Sequence, residues 1–190
     1  MWLHRVKQDY GNKLDITWKH FCLEEINSRG DQDRHVWEKE DISQARSLVA
    51  QTAAEAAKKQ GNDLFEKLHL AILTARHGGK GRINLNDEAA ILQLATTCGL
   101  DSIRLREDMN DPSVIKAISL DHIEAVTQHG VFGTPTFIFE DGEAAYLKSF
   151  IPPDGDAVSF FEHFTAIISG RPYFGELKRP QPPWPRGIFG

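Results

Sequence analysis

The sequence predicts an α/β fold in which a small core sheet is interrupted by a block of helices. Three observations carry that prediction. Residues 14–22, "LDITWKHFC", alternate between an apolar and a polar face, as a half-buried strand does. From about residue 43 to 111 the pattern is helical almost throughout. Strand character then returns at Thr134–Glu140, followed by a turn, a second strand and one helix with an apolar stripe.

The elements follow in order. Trp2, Leu3, Val6 and Tyr10 recur at helical spacing, and Gly11-Asn12 closes that helix. In the strand that follows, Leu14, Ile16, Trp18, His20 and Cys22 share one face, with Asp15, Thr17 and Lys19 on the other. Leu23 to Asp41 reads as polar and irregular, with "NSRGDQD" as a loop. An alanine-rich helix starts near Ser43 and ends at Gly61. Asn62 caps the next, whose stripe is Phe65, Leu68, His69, Ile72 and Leu73. A third starts from Asn86 or Asp87 and stops at Gly99, and "DSIRLREDMND" is a short fourth. Pro112-Ser113 opens a fifth, which Gly130 ends. Thr134–Glu140 and "AAYLKSF" form a hairpin around Asp141-Gly142. The last helix buries Val158, Phe161, Phe164, Ile167 and Ile168. The Pro-rich tail, residues 171–190, is expected to be extended or partly disordered, with Trp184 and Phe189 as its anchors.

Composition narrows the function classes. A chain of 190 residues suits one domain, or one core domain with an inserted subdomain. A net charge of −5 argues against a nucleic-acid partner, which calls for a basic excess. No run approaches the roughly 18 apolar residues of a membrane span, and "MWLHRVKQDYG" has no signal-peptide pattern. The expected compartment is the cytoplasm, with no membrane partner. Cys22 and Cys98 lie far apart and neither belongs to a Cys-x-x-Cys. They read as reduced, buried small hydrophobes; a Cys22–Cys98 disulfide is possible but nothing in the sequence supports it.

The sharpest local feature is Gly133-Thr134-Pro135, at the mouth of the most apolar strand. Proline cannot donate to a sheet ladder. A cis bond there would bend the entering chain and leave Thr134 unpaired, able to add an extended peptide as a further strand. A trans proline would merely start the strand, and the residues alone leave both readings open. The histidines carry no metal expectation. His122 and His129 are seven apart, His69 and His77 eight, and none has the i, i+4 spacing with a carboxylate base that a zincin needs. The acidic runs at 38–41 and 106–111 read as solvated faces. "HGGKGR" follows a helix and lacks Gly-Lys-Ser/Thr, so no phosphate loop is expected. Ser47, Ser149 and Ser159 stand outside any nucleophile elbow.

Residues 130–137, "GVFGTPTF", resemble the cis-proline loop of DsbA-like thioredoxin-fold proteins. The helical block "GNDLFEKLHLAILTARHGGKGRINLNDEAAILQLATTCGLD" is similar to the insertion of the subgroup with FrnE-type dithiol oxidoreductases and 2-hydroxychromene-2-carboxylate isomerases. "LDITWKHFCLEEIN" resembles that subgroup's second core strand. The resemblance implies one domain over residues 1–170, a thioredoxin-like core sheet with an all-helical insertion at about 43–111, and a tail from 171. It implies dithiol–disulfide exchange with a protein or small-thiol substrate, docked at Gly133, Thr134 and Pro135. No resident cofactor is implied, although glutathione or another low-molecular-weight thiol could serve an isomerase-like member.

The same resemblance places a Cys-x-x-Cys after a first core strand. There the helix dipole and free N–H groups lower the attacking thiol's pKa. The first helix opens at Trp2, and the 190 residues hold neither such a strand before it nor the motif. The expectations are therefore no catalytic residue in the chain as given, and a first core strand apparently missing. Either the natural protein carries that strand upstream, or this is a degenerate member that packs Trp2, Trp18 and the tail differently. A third functional reading, a redox-dead peptide-binding module, follows from the same loop.

Overall fold

A computed structural model describes residues 1–27, 35–39, 41–79 and 81–178. In chain order its elements are α1 (Trp2–Tyr10), α2 (Leu23–Asn27), α3 (Leu48–Ala57), α4 (Asn62–His77), α5 (Glu88–Thr97), α6 (Ser102–Met109), α7 (Pro112–His129), β1 (Thr136–Ile138), β2 (Ala144–Tyr146) and α8 (Ala157–Ile168). They fall into two units, one of residues 1–17 with 133–190 and one of residues 18–132.

The helical unit forms around alanine. In α3, Ala50, Ala53, Ala54, Ala56 and Ala57 are all buried, because a side chain of one carbon lets neighbouring helices approach closely. Leu48, Leu68, Ile91, Leu105 and Ile118 fill the remaining space and are almost fully buried. The ends are fixed by local chemistry. Asp87 accepts from the Ala90 N–H, Asp101 from Ile103 and Arg104, and Asp111 from Ser113, each satisfying amides that a helix start leaves orphaned. Gly130, at φ 61°, ends α7 in the left-handed region, where a Cβ would be strained. Asn62 is not the cap of α4: Gly61, at φ 121°, holds that position, and Asn62 is the first helical residue, bonded to Glu66.

Two expectations are corrected here. Leu23–Asn27 is a helical turn, α2, and Val36–Glu38 is a 3₁₀ turn where irregular chain was expected. Glu25 organises both, receiving the Val36 N–H at 2.9 Å and the His35 imidazole at 2.6 Å. Most of the "NSRGDQD" loop lies outside the described residues. The second correction concerns residues 14–22. After a 3₁₀ turn at Gly11–Lys13, no residue from 14 to 22 enters a sheet. Within the helical unit, side chains of α7 take the place of a neighbouring strand. The His20 N–H donates to Asp121 Oδ2 at 2.9 Å and the Cys22 N–H to His122 Nδ1 at 3.1 Å. These amides lie two residues apart and so point the same way, as alternate amides of an extended chain do.

The second unit contains the hairpin, paired antiparallel with Thr136 opposite Tyr146, Phe137 opposite Ala145 and Ile138 opposite Ala144. Gly142, at φ 85°, turns it, and its N–H returns to the Phe139 carbonyl. Asp141 accepts from the Ser169 hydroxyl and the Gly170 N–H, which holds the turn against the end of α8. Aromatic side chains pack the unit: Trp2 meets Phe160 edge-on at 5.2 Å, and Phe137 meets Phe164 at 4.9 Å. The stripe predicted for α8 is not buried as expected: Val158, Phe161, Phe164 and Ile168 are half-buried and Ile167 is 36% exposed, while the helix's buried residue is Ala157, outside that stripe. Among the described residues these two strands are the whole sheet. Trp184 and Phe189 lie outside the described residues.

Candidate functional site

The predicted site residues sit together at the mouth of β1. Gly133 is buried, while Thr134 and Pro135 are exposed. The Thr134–Pro135 peptide bond is cis. A Cβ on Gly133 would lie 3.1 Å from the ring of Tyr146, so glycine lets the β2 tyrosine lie across the loop. The Thr136 hydroxyl donates to the Gly133 carbonyl at 2.7 Å, bridging the proline. Pairing with the neighbouring chain begins at Pro135, whose carbonyl accepts the Leu147 N–H at 3.1 Å. Neither the N–H nor the C=O of Thr134 has a partner among the described residues. An exposed, unpaired residue next to a paired one is what an incoming extended chain needs in order to add to a sheet.

The thiols have a different character. Cys22 is 2% exposed, and its S–H donates to Gln51 Oε1 at 3.6 Å. Burial, with the Glu25 carboxylate adding to it, pushes the thiol pKa up to about 12. Cys98 is half-buried, and burial raises its pKa too. Both cysteines are free, so the Cys22–Cys98 disulfide is not formed. The thiolate is the nucleophile, and a pKa near 12 leaves only about one Cys22 in 10⁵ ionised at neutral pH. Cys22 is therefore expected to resist a thiol reagent such as DTNB in the folded protein and to react at the ordinary rate once unfolded in denaturant. Equal rates in the two states would contradict its burial.

The histidines are not arranged as metal ligands. Among the described residues, no three His, Cys, Asp or Glu side chains cluster as a metal site requires. His122 is 4% exposed and accepts the Cys22 amide. His69 instead faces a cleft of about 170 Å³ in the helical unit, together with Trp18, His20, Gln51 and Phe65. There the His20 imidazole lies 2.9 Å from Glu55. Burial on its own would raise the Glu55 pKa, but hydrogen bonds from His20 and Lys58 outweigh it and hold the pKa down to about 2. Glu55 is therefore an ionised acceptor, and His20 donates Nε2–H to it.

Sequence reading missed this pair, although two signals were visible. His20 interrupts the apolar face of residues 14–22, and Glu55 is the only charge in the α3 sequence "LVAQTAAEAA". A lone polar residue on one apolar face and a lone charge in an apolar helix each call for a buried partner.

The model of one family, the DSBA-like thioredoxin domain, matches residues 1–163 of the chain. The chain belongs to that family. No curated protein matches it. The DSBA-like thioredoxin domain is of thiol–disulfide oxidoreductase type, and the fold class is accordingly α/β of thioredoxin kind. Among its described residues no helix is long and apolar enough to cross a membrane. The domain as present here has an exposed Thr134 with an unpartnered backbone among the described residues, and within its 190 residues no Cys-x-x-Cys.

Proposed function

We propose that this chain is a FrnE-type member of the thiol–disulfide oxidoreductase family whose 190 residues hold the substrate's backbone at Gly133-Thr134-Pro135 and do not themselves supply the attacking thiol. The observation that carries the proposal is the unpaired, exposed Thr134 at the mouth of β1, in a chain of this family. The substrate is an extended peptide or a small thiol such as glutathione; both present the amide N–H and C=O that Thr134 can pair with. Two unpaired cysteines suit the cytoplasm, where thiols stay reduced.

The docking edge and the chemistry separate in this chain. These 190 residues supply no activated thiol: Cys22 follows an extended segment, at the start of a five-residue helix, and burial suppresses its ionisation. The expected result is that these residues alone give no turnover in insulin reduction. Robust turnover abolished by Cys22→Ser would overturn that.

Docking is tested from the ligand side, so that the protein is left intact. A peptide disulfide is titrated by calorimetry beside the same peptide N-methylated at successive amides. Methylation at the position that faces Thr134 is expected to weaken binding about tenfold, the effect of losing one or two backbone hydrogen bonds. Uniform affinity along the methylated series would remove Thr134 from the mechanism.

A further inference from the structure

We propose that the cleft of the helical unit binds a neutral, phenol-sized aromatic ligand, with the ligand hydroxyl on His69 and its ring against Trp18 and Phe65. This site belongs to the helical unit and does not depend on thiol chemistry.

Size comes first. The cleft holds about 170 Å³, close to the cavity of about 150 Å³ that accepts one benzene. The walls suit a ring. Trp18 stands edge-on to His69 at 4.7 Å, and Phe65 lies parallel to it at 5.6 Å and 11°. Ile72 and Leu85 also line it.

The polar groups then select the ligand. Gln51 is occupied, by Ser47 on one side and the Cys22 thiol on the other. Glu55 is held by His20 and Lys58. Lys19 is held by Asp121 and Glu124. No lining charge is left to recognise a carboxylate or an ammonium group. His69 differs: its imidazole has ring neighbours but no hydrogen-bond partner among the described residues. Burial, with His20 nearby, lowers its pKa to about 4, so at neutral pH the ring offers one donor and one acceptor nitrogen. A hydroxyl can meet either nitrogen, and Trp18 and Phe65 line the same cleft as apolar surface for a ring; phenol combines a hydroxyl with a flat ring.

The test titrates phenol, benzene, cyclohexanol and benzoate into the full chain, followed by the NMR shifts of the His69 ring protons and by calorimetry. Phenol is expected to saturate the site with a Kd of about 1 mM, reasonable for seven non-hydrogen atoms. Benzene should bind about fivefold more weakly for want of the hydrogen bond. Cyclohexanol should be weaker than phenol because it is not flat, and benzoate weaker still because its charge has no partner. In His69→Phe the preference for phenol over benzene should vanish while both still bind. Leu73→Trp, on the partly exposed rim, should abolish both without entering the core; Ala54→Leu does the same from the floor if it folds. Failure of wild-type protein to saturate with phenol at about ten times that Kd would overturn the proposal. So would equal affinity for phenol and benzene, or a phenol preference that survives in His69→Phe. Because none of these readouts uses a thiol, their failure leaves the peptide-docking result unaffected.

Discussion

Acidification from pH 7 to pH 4 is expected to cost the protein about 3 kcal/mol of stability, and His69→Phe to remove most of that loss. The origin is the burial of His69, which lowers its pKa from 6.5 to about 4 in the folded state. Between those values the unfolded chain binds the proton and the folded chain does not. Stability therefore falls as pH drops below 6.5, and the loss is complete below about 4. His122, also lowered by burial, works in the same direction, because a proton on Nδ1 would expel the Cys22 amide. Glu55 enters later. Its folded pKa lies below the unfolded value of 4.5, so its contribution is present above 4.5 and disappears as pH falls toward 2. His35 has the opposite sign: its pKa is raised by Glu25, so its contribution holds below 6.5 and fades as pH rises. It is 53% exposed at the side chain and screened by solvent. Urea unfolding at a series of pH values measures the balance. A His69→Phe profile parallel to that of the unmodified protein would overturn the assignment.

His122→Ala is expected to destabilise the fold by about 3 kcal/mol, and His122→Gln by about 1. Alanine leaves the Cys22 N–H buried without an acceptor, which alone costs about 1–3 kcal/mol. It also empties the space where the imidazole meets Phe21 at 4.8 Å and Trp37 at 5.2 Å. Glutamine keeps a carbonyl oxygen within reach of the amide, so the difference between the two variants isolates the hydrogen bond. Thermal unfolding of both, with amide exchange at Cys22, checks it. Equal destabilisation by alanine and glutamine would mean that packing, not the acceptor, makes His122 matter.

The bend at the mouth of β1 was legible in the sequence because glycine, threonine and proline there make a local signal with a local cause, while the residues alone left the cis or trans state of the Thr134–Pro135 bond open. The hairpin was legible for the same reason, although the paired strands are shorter than the apolar run suggested. The cleft was not. His20 meets Glu55 across 35 residues, and no periodicity in either segment announces the other. His69 was visible on an apolar stripe, but a stripe does not show whether a histidine has a partner. His122 carries no metal expectation in the sequence, but its acceptor role toward Cys22 spans 100 residues and leaves no local signal.

Features whose causes lie within a few residues could be read from the chain alone. These are the helix start at Asn86 or Asp87, of which Asp87 is the cap, the helix opening at Pro112, the stop at Gly130, the turn at Asp141-Gly142 and the alanine-rich helix α3. Tertiary structure alone decided the fate of residues 14–22. Alternation makes such a segment extended, but it does not name the acceptors for its amides. Buried amides must find acceptors wherever the fold supplies them. Within the helical unit those acceptors are the Asp121 carboxylate and the His122 imidazole of α7.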